Sequence, residues 1–471
     1  MDYSRKGVKN SSVDFADMLV IPNTLSGFIN NGTSTEMTDR GKEAYCFHGD
    51  LFLPDDEYLC PVCGAKMEKH QKFHTRLRHI TFGQKISYIF YDKHQLLCKE
   101  CGRTQMERVP FQAVGHRMTE ELKVMIEDYL MLGMNNAMVT KITGVHQATV
   151  KGIDKAMLEK RYTYIDANGA RHLIRPEKQA RYLSIDEIKI HDNYKFATHI
   201  IDLETGNVLW VQGGKKKQVV YDFIEHVGME WMAGVIGVAC DMNSDFQEAF
   251  QEKCPHLSII YDHFHIVKNL NEKVISPLRR DEQNRLRHEG REDEAKDLKN
   301  TRYILMSKRS TLQKRDAEAE AGIPIRKGSE LFKIDSVTLK SGREEKYDQL
   351  LAENKLFFTA DLVKDMLDKA FRCTDTDDML DQITEIIYTC WETENEHFVW
   401  FGNLLNNHLA GIVTHAALPV SSGKIEGINR KIGNIKNQAY GYHVDEFFFL
   451  KVMESSRHPY ERNPKSHKVL Q

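Results

Sequence analysis

The chain has 471 residues, 41% of them hydrophobic and 28% charged, with a formal net charge of −3. That length favours roughly three domains over one core, and the composition excludes a fibrous or low-complexity chain. The longest apolar runs, such as Val235–Cys240, fall far short of the roughly 20 residues a membrane span needs, and the start Met1-Asp-Tyr-Ser-Arg-Lys-Gly has no apolar secretory stretch. The expected compartment is therefore the cytoplasm, where the nine cysteines read as reduced thiols or metal ligands.

Residues 1–45 are polar and weakly patterned, which predicts a loosely ordered lead-in. Residues 46–115 hold paired cysteines separated by the short strand-like runs Ile86–Tyr91 and Gln95–Leu97. This stretch is basic: from Cys60 to Arg117 there are 11 Lys or Arg against 4 Asp or Glu, which suits a polyanion partner. Residues 116–165 follow a helical period, with Leu122, Met125, Ile126, Tyr129 and Leu130 on one face and two shorter helices meeting at Thr143-Gly144.

From Tyr182 the pattern changes to three strands, Tyr182–Asp186, Lys195–Asp202 and Val208–Val211. A helix, a strand over Val235–Cys240, a helix and a fifth strand over Leu257–Tyr261 follow, so Asp186 ends the first strand and Asp241 follows the fourth. Three meandering strands and then alternating helix and strand is the order of an RNase H-like mixed sheet. Residues 271–414 are mostly helical and charged, and a last amphipathic helix begins after Gly423.

Three groups of residues carry chemistry. Cys60-Pro-Val-Cys63 and Cys98-Lys-Glu-Cys101 are matching knuckles, each followed by Gly, that supply four thiolates for a tetrahedral structural Zn²⁺. Cys46 and His48 have nothing nearby to complete a second site. Around Gly144, the placing of Val145, Val150 and Ile153 fits a helix-turn-helix whose second helix exposes His146, Gln147, Thr149 and Lys151 to a DNA groove. Asp186 and Asp241 sit on adjacent strands of the expected sheet, and Glu426 projects from the last helix. Three such oxygen donors suit two Mg²⁺ or Mn²⁺ ions in phosphodiester displacement.

Taken in order, Cys60–Gly64, Cys98–Thr104, Ile142–Val145, Ile185–Glu187, Asp202–Gly206, Asp241-Met242, Asp262–Ile266, Glu426–Asn429 and Gln438–Tyr442 resemble the zinc-ribbon DDE transposases of bacterial insertion sequences, the ISL-three family. The resemblance spans almost the whole chain. It implies a mixed α+β multidomain protein with a zinc ribbon (46–115), a helix-turn-helix domain (116–165), an RNase H-like catalytic domain (180–270 and 415–455) and a helical insertion (271–414). The insertion accounts for the long separation of Glu426 from Asp241.

The implied ligands of the catalytic Mg²⁺ or Mn²⁺ are Asp186, Asp241 and Glu426. Asp262, His265 and Asn429 are expected to support these ligands or to meet a DNA strand, and Asp262 is the rival for the second ligand. Lys424, Arg430, Lys431 and Lys436 are left to meet phosphate where the family carries further basic residues in place of Gly433 and Asn437. The implied activity is binding of terminal inverted repeats, strand cleavage, and transfer of the freed 3′-OH to target DNA. A homodimer or larger assembly on the bacterial nucleoid would carry it out. The other classes considered are a non-catalytic DNA-binding regulator derived from a transposase and an RNase H-like nuclease without strand transfer.

Overall fold

The computed structural model describes residues 25–457 apart from 39–40, 42, 84, 191–195, 243–244, 262, 327–336, 339, 419–422 and 439–444. The chain divides into two compact units. One comprises the residues up to Ile174 together with those from Gln438 onward, and the other runs from Arg175 to Asn437.

The first unit opens on a five-stranded sheet of β1 (Phe28–Met37), β2 (Glu43–Leu51), β3 (Glu68–Phe82), β4 (Lys85–Leu97) and β5 (Thr104–Met106), in the order β1-β2-β4-β3 with β5 paired on β4. Only the β2–β4 pair is parallel. Phe28, Phe47, Leu77, Ile89, Tyr91 and Phe111 form its core. The loose lead-in expected through residue 45 is thus corrected from residue 28 on: the Asn/Thr-rich β1 pairs along its whole length with β2 despite its exposure. The two short runs expected near the cysteines are one strand of 13 residues.

Helices α1 (Glu120–Met131), α2 (Asn136–Thr143) and α3 (Gln147–Tyr162) follow. Thr119 and Asn135 cap the first two by accepting the Leu122 and Met138 N–H groups. Gly144 ends α2 at φ +68°, where an added Cβ would lie 2.9 Å from Arg78 Nη2. Arg78 is held there by donating to the Thr143 carbonyl at 2.6 Å. α3 is longer than expected, 16 residues, and Val150 and Ile153 join Leu122, Ile126 and Val139 in one core. A hairpin of β6 (Thr163–Ile165) and β7 (Arg171–Leu173) closes this stretch.

The C-terminal helix Asp445–Ser456 belongs to this unit, which corrects its expected place in the catalytic domain. Its Glu454 accepts from Tyr162 Oη at 2.5 Å and Arg161 Nη1 at 2.9 Å, and its Lys451 donates to the fully buried Asp154 at 3.0 Å.

The second unit holds a sheet of β8 (Tyr182–Lys189), β9 (Phe196–Asp202), β10 (Val208–Gly213), β11 (Gly237–Cys240) and β12 (Ser258–Tyr261) in the order β10-β9-β8-β11-β12. The first three strands are antiparallel, and β11 runs parallel to both β8 and β12. β8 extends three residues past Asp186, so that carboxylate sits within a strand and not at its end. Leu183, Ile185, Ile200, Val238 and Ile259 share one continuous core with Phe223, Phe250, Val363, Ile383, Phe401 and Ile412. The helices between residues 276 and 417 therefore do not form a separate body: they complete the core of the sheet.

Candidate active site and metal centre

The turns after Cys60 and Cys98 bring four sulfurs together. Each knuckle closes with a backbone bond to the first cysteine's carbonyl, from Gly64 and Gly102 at 2.9 Å, and both glycines have positive φ. The Sγ atoms of Cys60 and Cys101 lie 3.6 Å apart, those of Cys63 and Cys98 3.4 Å, and those of Cys63 and Cys101 3.7 Å. Tetrahedral zinc at about 2.3 Å from each sulfur would set them about 3.8 Å apart, so the four residues fit the ion. Backbone N–H groups of Cys63 and Val62 aimed at Cys60 pull its thiol down to about 6, whereas, despite the Ala65 and Arg103 N–H groups aimed at them, contact with the neighbouring sulfurs pushes the thiols of Cys63 and Cys101 up. Cys46 is buried and His48 stacks on Phe90 at 5.0 Å, in line with a role in packing.

In the second unit the helix Gly423–Gln438 lies along β8. Lys424 Nζ donates to the Leu203 carbonyl at 2.7 Å and to that of Glu204, Asn429 Nδ2 donates to Asp186 Oδ2 at 2.6 Å, and Lys436 Nζ reaches the Lys189 carbonyl at 3.4 Å. Ile425, Ile428 and Ile432 are its buried residues, at the i, i+3 and i+7 spacing of one helix face. Lys424 and Lys436, expected to meet phosphate, are thus engaged with backbone carbonyls of the turn after β9 and of the end of β8. Arg430 pairs instead with Glu426, Nη2 to Oε1 at 2.5 Å. Lys431 is half-buried.

Asp186, Asp241 and Glu426 line one open cleft of about 470 Å³ together with Glu187, Lys215, Phe264, His265, Lys268 and Asn429. Asp186 on β8 and Asp241 just past β11 come from adjacent parallel strands. Asp186 is held at both oxygens, by Asn429 at Oδ2 and by the Glu187 N–H at Oδ1, 2.8 Å away. His265 Nδ1 stands 3.7 Å from Asp241 Oδ2. Burial pushes the Glu187 carboxyl up, and the nearby charges of Asp186, Asp241 and Asp245 add to it while Lys215 opposes them.

The cleft thus gathers four carboxylates, oxygen donors of the kind that suit a hard divalent cation. The oxygens of Asp186, Asp241 and Glu426 are nevertheless not all within 4.8 Å of one another. The groups that are so gathered among the described residues are the four cysteines and a cluster on the helical segment of exposed Asp281 and Glu396 with half-buried His397. Asp262 lies outside the described residues.

Sequence reasoning missed Glu187, Lys215 and Lys268. Lys215 follows β10 in a Lys215-Lys216-Lys217 run, and Lys268 stands one helical turn after Phe264, so only the spacing hinted at either.

On α3, His146, Gln147 and Lys151 are exposed and Thr149 is half-buried. His146 caps the helix by accepting from the Ala148 N–H at 3.3 Å, and Lys151 Nζ lies 5.9 Å from the Phe447 ring of the C-terminal helix. No helix of the described residues is long and apolar enough to cross a membrane.

Comparison with known proteins matches both regions. The zinc-finger of transposase IS204/IS1001/IS1096/IS1165 covers residues 56–101, and so takes in all four cysteines. The chain is 25% identical over 400 residues to the transposase for insertion sequence element IS1001 of Bordetella parapertussis, a match covering 84% of this chain and 87% of that one. It is 28% identical over 87 residues to the transposase for insertion sequence element IS1557 of Mycobacterium tuberculosis, 18% of this chain and 20% of that one. The transposase model of the ISL3 DDE type runs over residues 183–452, from the second residue of β8 through the helix that carries Glu426 and into the C-terminal helix Asp445–Ser456. Because that match takes in more than half of the chain and the whole carboxylate cleft, the chain belongs to the ISL3 family of transposases.

Proposed function

We propose that the protein is a DDE transposase that binds the terminal inverted repeats of its own insertion sequence, cuts at their ends and joins the freed 3′-OH to target DNA. The observation that carries this reading is that Asp186, Asp241 and Glu426, spread over 240 residues of sequence, line one cleft. The strand order β10-β9-β8-β11-β12, with its antiparallel and parallel halves, supports an RNase H-like sheet beneath them.

The three carboxylates would hold Mg²⁺ or Mn²⁺, which supplies charge neutralisation at the attacking and leaving oxygens of phosphodiester displacement. The chain's own residues do the positioning. Asn429 and the Glu187 N–H fix the Asp186 carboxylate, and His265 stands beside Asp241. Ligation by Glu426 would require it to exchange Arg430, an exposed ion pair worth about 0.2–1 kcal/mol, for the metal. The freed guanidinium would then be available to phosphate, the role expected of it together with Lys431.

The turn at Gly144 between α2 and α3 supports a helix-turn-helix reading, in which Gln147, Thr149, Lys151 and His146 face the groove. Two element ends must be held together for joining, which favours a homodimer or larger assembly on DNA.

Glu426→Gln keeps the helix and removes the charge. We expect loss of Mg²⁺-dependent cleavage and strand transfer on terminal-repeat DNA by at least about a hundredfold, with DNA affinity unchanged in the same preparation. Cleavage by this variant at the wild-type rate would remove Glu426 from the site. Wild-type protein that binds but never cuts would favour the regulator, and cutting without joining would favour the nuclease.

A further inference from the structure

Phe264 is 56% exposed, yet it lines the carboxylate cleft. Its neighbour His265, whose ring meets it edge-on at 5.5 Å, is the residue that stands against Asp241. Lys268, four residues on and so on the same face of the helix His263–Asn269, is exposed and lines the same cleft. Lys215, exposed after β10, lines it too and rests over the Phe196 ring at 4.7 Å. A lone exposed apolar side chain is ordinary on a protein surface. What distinguishes Phe264 is its company: an exposed aromatic face and two exposed ammonium groups line the same cleft as Asp186, Glu187, Asp241 and Glu426.

We propose that Phe264, Lys268 and Lys215 clamp the DNA strand at the cleft. Phe264 stacks on a base that is unpaired beside the cut bond, and the two lysines meet the flanking phosphates. The proposal rests on the cleft being the strand-cutting site.

The chemistry narrows the ligand. Within an intact duplex each base is already stacked on both faces, so a protein ring can be used only by a nucleotide out of the stack. Any base offers a π face, so this contact is independent of sequence and leaves reading to another part of the protein. The lysines counter the repulsion between the phosphates and the cleft's carboxylates, a task that the carboxylates' own metal ions would only partly perform.

The test uses full-length protein and pre-cut terminal-repeat DNA ending in one unpaired nucleotide, with and without its base, and no added Mg²⁺. Wild type should bind the base-bearing DNA about 5- to 150-fold more tightly, the range expected for one aromatic stack. Phe264→Ala should abolish that preference and Phe264→Trp should keep it. Lys268→Ala and Lys215→Ala should keep it while each reduces the salt dependence of binding by about one unit of slope. A wild type with no base preference, or a preference that survives in Phe264→Ala, overturns the clamp. Uncut terminal-repeat DNA with Mg²⁺ tests the cleft separately: if the base preference is present but no cut product ever forms, the base contact at Phe264 stands, while the transposase reading of the cleft, and with it the placing of that base beside a cut bond, fails.

Discussion

His79 sits within the first unit at 1% exposure, with Nδ1 2.9 Å from Thr119 Oγ1, and burial pulls its pKa down to about 4. The unfolded chain takes up a proton near pH 6.5 and the folded one does not, so the stability this neutral ring contributes is complete above about 6.5. It is lost as the pH falls from there toward 4. We expect His79→Gln to destabilise the first unit at pH 7.5, and the gap from wild type to shrink by on the order of 3 kcal/mol at pH 4. Urea unfolding of both proteins across that range checks this, because the zinc ligands are common to both and cancel in the difference. At this scale the sequence was legible wherever chemistry depends on local spacing, as in the two cysteine knuckles. Asn429 was expected beside the carboxylates only through the family motif that carries it, and its particular partner, Asp186, was not legible, because a hydrogen bond between residues 243 positions apart leaves no trace in any local pattern.

The cysteine knuckles act as one element because each pair closes the other's site. Cys60→Ser with Cys98→Ser should remove the bound zinc and expose Met67 and Leu96, which pack with those two buried sulfurs. Elemental analysis of protein purified without chelator, and its melting with and without zinc, checks both. Retention of one zinc per chain in the double variant would rule the site out.

The C-terminal helix makes a different demand on α3. Asp154 is completely buried and has Lys451 as its ion-pair partner, so Lys451→Ala leaves a carboxylate uncompensated and should cost about 3–5 kcal/mol in chemical unfolding. Lys451→Met combined with Asp154→Leu should recover most of that loss, because the desolvation penalty goes with the charges. Helices α1 to α3 were readable from their period and the turn at Gly144. The helix Asp445–Ser456 was not read at all, and although Phe447, Phe448 and Val452 are buried in it, nothing in their spacing says what buries them. β1 and the outer half of β3 escaped for the opposite reason: both are exposed along most of their length, so the alternation that marks a half-buried strand is missing.

At the scale of the molecule, the order of strands and helices in the second unit could be read from the sequence, while the unity of its core could not. Gly411 shows how closely the helical segment is fitted to the sheet: a Cβ there would lie 2.5 Å from Tyr261 Cε2 and 3.3 Å from the Ile259 carbonyl, and Tyr261 is 1% exposed. Gly411→Ala should therefore destabilise the second unit by about 1–3 kcal/mol although it lies outside the cleft. Thermal melting of the variant checks this, and an unchanged midpoint would mean that the helix and β12 move apart freely.

The return of Asp445–Ser456 to the first unit sets an order of events during synthesis. Chains emerge at about 5–20 residues per second and domains ordinarily fold as they appear. Here the three-helix body is complete in sequence by residue 174, but the lysine that neutralises Asp154 is encoded 277 residues later. That delay is on the order of 15 to 60 seconds at those rates. During it Asp154 on α3 is without its lysine, and the unit that starts first is finished last. A ribosome-stalled or prematurely ended product would thus hold a half-made α3 surface, and the completed surface would appear only in chains that also carry the whole carboxylate cleft.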